Sequence, residues 1–339
     1  MSADGATPRY ERGARLGGGA MGEVWAAREI ASGREVALKT LRDAASAALF
    51  EREVMLQSSL SHRSVPRVLD RGVDTDGTPW FAMERVQGRT FATVLDELRA
   101  HRERRAPKAD LAGLLRAFAR ACRAVDHAHR RGVVHRDLKP ENLMLGASGE
   151  VHIVDWGLAA HVGDRPDGAA LIVGTPGYIA PELARGDGRP AHPSGDVYAL
   201  GASLFELVAL EPLYPQAHPL GRLTAALLDG DPLIGRVDPS DATWLAIEPV
   251  VRTAIARDPA ARYASAEALA MAIELALTPS TRVARGRLGT TIGLAAAAAL
   301  GWLSLTPFSS LLPPSWDRPA HGPQTITQAP DAGSGRPSA

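Results

Sequence analysis

Among 339 residues there is one cysteine, Cys122, so no internal disulfide can form. No cluster of Cys and His has metal-ligand spacing either, which excludes a structural zinc site and fits a reducing compartment. Net charge is also missing, with Lys plus Arg and Asp plus Glu at 38 each. No basic excess follows a phosphate backbone and no acidic excess keeps the chain solvated, so nucleic acid is not expected as a partner. Met1 to Tyr10 contain no apolar run of signal-peptide type, and the start of the chain is expected to stay in the cytoplasm. No repeat with a period of roughly 20 to 50 residues is present, which argues against a solenoid or propeller.

What is present is a hydrophobic content of 45%, enough to bury one large core or two lobes. From about Arg9 to Met83 the chain alternates as strands do, for example in Glu35-Val36-Ala37-Leu38-Lys39 and Pro79-Trp80-Phe81-Ala82-Met83. One helical stretch, Ala44 to Leu60, interrupts the alternation. From Thr90 onward the period becomes helical, with Leu111, Leu114, Leu115, Phe118, Cys122 and Val125 spaced by three and four. The same pattern returns at Val197 to Leu207 and Ala242 to Ile255, and Val86-Gln87-Gly88 would be the hinge between the two parts. Basic His101 to Lys108 reads as a solvated loop.

Three motifs carry chemistry. Gly17-Gly18-Gly19-Ala20-Met21-Gly22-Glu23-Val24 fits G-x-G-x-x-G-x-V, in which small residues let backbone amides approach phosphates. A dinucleotide fold would follow the glycines with a helix, whereas Val24-Trp25-Ala26-Ala27 reads as a strand, so the glycines are expected to cap a hairpin. Val36-Ala37-Leu38-Lys39 puts an ammonium in an apolar strand, where it needs an anion. Phe50-Glu51-Arg52-Glu53 offers two, Glu53 preferred and Glu51 the alternative. His135-Arg136-Asp137-Leu138-Lys139-Pro140-Glu141-Asn142, with Asp155-Trp156-Gly157 beyond it, supplies a candidate base, a cation and two metal-seeking groups. Phosphoryl transfer asks for that set, because its catalysis is positioning plus charge neutralisation.

Together with Gly174-Thr175-Pro176-Gly177-Tyr178-Ile179-Ala180-Pro181-Glu182, these motifs resemble, in order, a bacterial eukaryotic-type (Hanks-type) serine/threonine protein kinase. The resemblance implies an α+β, two-lobed fold over residues 9–277: a mainly β N-lobe (9–83), a hinge (84–88) and a larger helical C-lobe (89–277). It implies ATP and Mg²⁺ as cofactors and protein Ser/Thr hydroxyls as acceptors. Asp137 would be the base, Lys139 would stabilise the transferring phosphoryl group, and Thr175 would help accept the substrate side chain. Asn142 and Asp155 would hold Mg²⁺. The nucleotide would be bound by Leu16, Gly17, Gly18, Gly19, Ala20, Met21 and Gly22 over the phosphates and by Lys39 paired with Glu53. Its base would lie between Val24 and Ala37 above and Met144 below, with Met83 behind and the backbone of Glu84 and Val86 at the hinge. Glu182 would pair with Arg262, and Asp196 would hold the backbone near His135.

Two features depart from the family pattern. Trp156 stands where Phe is usual, a larger aromatic with the same packing role. Leu158 to Val173 holds no Ser, Thr or Tyr, although related kinases are usually phosphorylated there. A permanent anion is the alternative, with Asp167 pairing Arg136 or another cation.

Beyond the kinase part, 278–287 reads as an Arg-bearing linker and 313–339 as a disordered tail rich in Pro, Gly and Ser. Between them Leu288 to Leu305 is an 18-residue run without charge. As a helix it covers about 27 Å, close to a bilayer's hydrocarbon thickness. A transmembrane helix is expected over 288–306, and Arg282, Arg285 and Arg287 before it orient the kinase to the cytoplasmic side of the cell membrane. A homodimer stays open, as does the rival reading of a pseudokinase or nucleotide-binding scaffold.

Overall fold

The period of two in β3 (Glu35–Leu41) divides its side chains between two small cores. Val36 and Leu38 join Tyr10, Ala27 and Ala82 on one face. Leu41 joins Phe50, Val54 and Phe81 on the other, and Lys39 shares that second face. The structure, a computed structural model, describes residues 9–278 apart from 20–21, 44–45, 104–109, 167–171, 229, 234–235 and 237–240. A first unit runs to Ser280, and the second, Thr281–Ala339, falls wholly outside the described residues.

β3 is central in a five-stranded antiparallel sheet ordered β1-β2-β3-β5-β4, with β1 Tyr10–Gly18, β2 Gly22–Glu29, β4 Val68–Val73 and β5 Pro79–Glu84. β1 and β2 form a hairpin in which Gly17 faces Val24 and Gly18 faces Glu23. The Gly19 amide closes the turn on the Gly22 carbonyl at 2.9 Å. Gly22 is required by contact: a Cβ there would lie 2.4 Å from the Thr40 carbonyl oxygen. Helix α1 (Ala47–Ser59) packs Phe50 and Val54 against the sheet. Its far end, with Leu56 and Leu60, belongs instead to the large core of the second lobe.

That core is built on α2 (Phe91–Glu103), α3 (Leu111–His129), α5 (Pro193–Ala209), α7 (Ala242–Ala254) and α8 (Ala266–Leu277), with shorter α4 (Pro181–Ala184) and α6 (Pro219–Leu227) at its edge. The apolar stripe read in α3 is buried, with Leu115, Phe118, Cys122 and Val125 at 1% exposure or less. Asp110 caps this helix, accepting the Gly113 amide at 2.9 Å. Arg262 makes a bidentate pair with Glu182 at 2.8 and 2.6 Å. It also donates to the Ser194 and Ala256 carbonyls and lies over the Tyr198 ring. This satisfies nearly every donor of a side chain that is fully buried.

The structure corrects the sequence reading in places. His101 and Arg102 belong to α2, not to a loop, and Arg102 reaches the Ala209 carbonyl. The helical part also carries strands the periodicity did not reveal: β6 (Arg89–Thr90), β8 (Leu143–Leu145) and β9 (Val151–Ile153) in one sheet, β7 (Val133–Val134) and β10 (Ala160–His161) in another. At two or three residues each they are too short to show a period of two. The first helix starts at Ala47, while 44–45 lie outside the described residues. The linker beyond Thr278, the transmembrane helix 288–306 and the tail 313–339 also lie outside them. Among the described residues no helix is long and apolar enough to cross a membrane.

Breaking a buried pair by removing one partner leaves an uncompensated charge. Arg262→Ala is expected to cost about 3–5 kcal/mol of stability, read as a drop in the denaturant midpoint. A change below about 0.5 kcal/mol would show that the pair does not hold the lobe.

Candidate active site

Lys39 sits at the junction of both lobes. Its Nζ lies 2.5 Å from Glu53 Oε1 on α1 and 3.0 Å from Asp155 Oδ1, just beyond β9. Burial alone would push this ammonium toward neutrality, but the two carboxylates outweigh burial and hold its pKa above the ordinary lysine value. Asp155 is likewise drawn below the usual carboxylate range: burial opposes this, and Lys39 prevails. Glu53, not Glu51, is the partner on α1. Lys39 has three N–H donors and uses two here, so one remains.

Eighteen residues before Asp155, Asp137 forms a closed triangle with Lys139 and Thr175. Thr175 Oγ1 donates to Asp137 Oδ1 at 2.6 Å, and Lys139 Nζ donates to Asp137 Oδ2 at 2.8 Å and to Thr175 Oγ1 at 2.7 Å. Asn142 Nδ2 donates to the Asp137 carbonyl at 2.8 Å and its carboxylate at 3.2 Å. With its amide nitrogen committed, Asn142 offers Oδ1 as its donor atom for a cation. Gly174 brings Thr175 in: its φ is +115°, and a Cβ would meet the Arg136 carbonyl oxygen at 2.7 Å.

The backbone before Asp137 is organised by Asp196, a nearly fully buried carboxylate in the first turn of α5. It accepts the amides of His135 (2.8 Å) and Arg136 (2.9 Å) and the His129 ring at 2.8 Å. Arg136 is thereby held at φ +69° and Asp155 stands at +61°, both in the left-handed region that is costly away from glycine. His135 accepts the Asp137 amide at Nδ1 (3.3 Å) and faces the Val154 carbonyl with Nε2 (3.2 Å). That pairing requires the proton on Nε2. Trp156 is buried against the His135 ring, 4.6 Å between centroids, and donates its indole N–H to the Ile153 carbonyl at 3.2 Å.

The remaining positions lie on β1, β2, β3, β5, β8 and the connection after β5. Leu16, Gly17 and Gly18 end β1, Gly19 follows, and Gly22 and Val24 begin β2, while Ala20 and Met21 lie outside the described residues. Ala37 on β3 pairs with Met83 on β5. Met83 packs on the Phe50, Val54 and Phe81 cluster and takes a contact from Gln57 Nε2 at 3.6 Å. The Glu84 amide is spent on the Arg67 carbonyl (3.0 Å), so a base could address Glu84 only through its carbonyl. Val86 lies in the connection between β5 and β6, and Met144 on β8 pairs with Thr90 and His152.

The protein kinase domain family matches residues 10–271. The chain belongs to the protein kinase family. Among curated kinases it is 36% identical over 283 residues to a probable serine/threonine-protein kinase of Corynebacterium efficiens, covering 79% of this chain and 41% of that one. It is 36% identical over 278 residues to the probable serine/threonine-protein kinase PknB of Corynebacterium glutamicum (77% and 41%). It is 32% identical over 272 residues to serine/threonine-protein kinase PknB of Mycobacterium tuberculosis (76% and 41%). The chain thus spans about two-fifths of the length of these relatives.

Several members of this kinase site were not read from the sequence. The Lys39–Asp155 contact joins residues 116 apart, and no local pattern announces it. His129 lies on the same face of α3 as Val125, a position that reads as core. Asp167 and the pairing assigned to it lie outside the described residues. The carboxylate of that segment seen to meet a cation is Asp164, on Arg52 of α1.

Asp196 gives this fold a predictable acid response. Burial would raise its pKa, but His129 and the His135 amide outweigh burial and hold it below the usual carboxylate value. A depressed carboxylate stabilises the fold above its unfolded pKa of about 3.9 and loses that contribution as pH falls through the folded value. Asp196→Asn should therefore cost about 2 kcal/mol at pH 7 and progressively less below about pH 4, measured by urea unfolding at each pH. A penalty independent of pH would contradict this account.

Proposed function

We propose that this protein is a serine/threonine protein kinase that transfers the γ-phosphoryl group of ATP to Ser and Thr hydroxyls of other proteins. The observation that carries the reading is the triangle at Asp137. One carboxylate oxygen already accepts a hydroxyl hydrogen from Thr175 at 2.6 Å, while the Lys139 ammonium bridges carboxylate and hydroxyl. An incoming protein hydroxyl needs the same acceptor: Asp137 takes its proton as the new oxygen–phosphorus bond forms and the bond from the γ-phosphorus to the β–γ bridging oxygen breaks, releasing ADP. Lys139 stands beside it to offset charge on the phosphoryl oxygens, and Thr175 positions the acceptor chain. The spare N–H of Lys39 serves the α- and β-phosphates.

Mg²⁺ fits the oxygen donors of Asp155 and Asn142. Asp155 uses Oδ1 on Lys39, and its side chain is 44% exposed, while Asn142 offers Oδ1. Two hard oxygens suit a cation that fills its shell with phosphate oxygens and water. When bound, Mg²⁺ neutralises charge on the β- and γ-phosphates. Glu84 and Val86 present backbone to the adenine between Val24, Ala37, Met83 and Met144. The relatives' names as serine/threonine-protein kinases support the choice of acceptor.

The reading extends to a membrane. The uncharged Leu288 to Leu305 run, with Arg282, Arg285 and Arg287 before it, supports one span that leaves the kinase in the cytoplasm.

Purified full-length protein incubated with γ-labelled ATP, Mg²⁺ and a Ser/Thr peptide library should label Ser and Thr. Asp137→Asn should lower the rate about 100-fold or more. Equal labelling by both would assign the activity to a contaminant, and labelling by neither while ATP still binds would leave a nucleotide-binding scaffold. For the anchor, full-length protein expressed in bacteria should stay with the membrane pellet after an alkaline carbonate wash, and deletion of 288–305 should release it. Release of the full-length protein would overturn the span.

A further inference from the structure

The segment from Leu158 to Val173 has no hydroxyl to phosphorylate, yet its described first half is firmly fixed to the helical lobe. β10 pairs with β7, and the Val162 amide donates to the Gly132 carbonyl at 2.8 Å. The Gly163 amide donates to the Ala191 carbonyl at 2.9 Å, and the Ala191 amide returns to the Asp164 carbonyl at 2.7 Å. The Asp164 side chain accepts the His161 amide at 3.0 Å and, through the same oxygen, meets the guanidinium of Arg52. A carboxylate held by the second lobe therefore grips a cation on α1, one residue before Glu53.

The location matters more than the strength. Arg52 and Asp164 side chains are 28% and 38% exposed, a setting in which ion pairs add little to global stability. The start of α1, however, has no side-chain cap at Ser46, whereas Leu56 and Leu60 anchor its far end in the large core. Glu53 lies in the half whose apolar anchorage is the small sheet-side core, through Phe50 and Val54.

We propose that Arg52 and Asp164 are positioning residues whose ion pair keeps Glu53 against Lys39, with the Asp164 carboxylate providing this order in a segment that cannot be phosphorylated. The proposal rests on the kinase reading for its kinetic consequence but not for its structural one. Asp164→Asn removes the charge and keeps an oxygen for the His161 amide, so it separates the ion pair from the turn.

The test uses full-length wild type, Asp164→Asn, Arg52→Glu, Asp164→Arg and the exchanged pair Arg52→Glu/Asp164→Arg, each assayed for kcat and KM and for hydrogen exchange in α1. Asp164→Asn should lower kcat/KM for ATP about fivefold and speed exchange at the start of α1 by a similar factor. The exchanged pair should recover most of what Arg52→Glu loses. Phosphatase-treated wild type of unmodified intact mass should keep its full rate. Wild-type kinetics and exchange in Asp164→Asn would overturn the proposal, as would faster exchange without a kinetic change in an active enzyme. Failure of the exchanged pair to rescue, or loss of activity on phosphatase treatment, would overturn it too. If wild type transfers no phosphate, the kinase reading fails, and the exchange data still decide whether the pair holds α1.

Discussion

A buried ammonium cannot stay charged without anions, and Lys39 takes them from two distant places. Glu53 reaches it from α1 and Asp155 from beyond β9. The requirement runs in both directions. Without α1 packed on the sheet through Phe50 and Val54, Lys39 would face burial with one partner. Without Lys39, two carboxylates would stand close together, the arrangement that drives one of them to hold a proton. The three charges thus bind sheet, helix and second lobe into one conformation.

The strain of the site is offset by rigid parts around it. Arg136 and Asp155 adopt left-handed backbone, a cost of order 1–3 kcal/mol each for non-glycine residues. Asp196 supports the first through two amide bonds and is itself held by His129. The second is fixed by the flanking contacts of Val154 with Asn142 and of Trp156 with Ile153 and His135. Asp196 itself belongs to α5, buried along nearly its whole length. The loop before Asp137 can hold a strained residue because its support stands on a buried helix.

How far this was legible from sequence follows the range of each interaction. Local signals spoke clearly: the alternation around Lys39, the stripe along α3 and the glycines whose hairpin the β1–β2 register displays. Lys39 in an apolar strand demanded an anion, and Glu53 answered within the same lobe. What stayed hidden depended on contacts between distant segments or on very short elements. Asp155 meets Lys39 across 116 positions, and the two- and three-residue strands that frame Asn142 and Asp155 carry no periodicity. In the Arg52 case the sequence pointed to a carboxylate in place of a phosphate and spacing to Thr175 selected Asp167, which lies outside the described residues, whereas the carboxylate that meets Arg52 is Asp164. Asp164 is brought to α1 by the turn at Gly163 and the Ala191 backbone, a placement between distant segments that no local spacing announces.

The cores also say which pieces would move together when the space between the lobes opens. Leu56, Leu60 and Val65 belong to the large core of the second lobe, and the Ser64 carbonyl accepts the Ile153 amide at 2.7 Å. The far end of α1 and the loop after it are thus built into the helical lobe, while the five strands keep two small cores of their own. A sheet that swings takes the start of α1 with it through Phe50 and Val54, and the boundary falls near Leu56 and Leu60. Asp155 stands on the second-lobe side of that boundary, whereas Glu53 lies on the half of α1 that packs on the sheet through Phe50 and Val54, so an opening that drew the sheet away would part the buried ammonium from Asp155 while Glu53 stayed beside it. Closure is therefore coupled to charge pairing at one atom, and nucleotide phosphates entering the same space would add a third anion to an ammonium that has one N–H still to give.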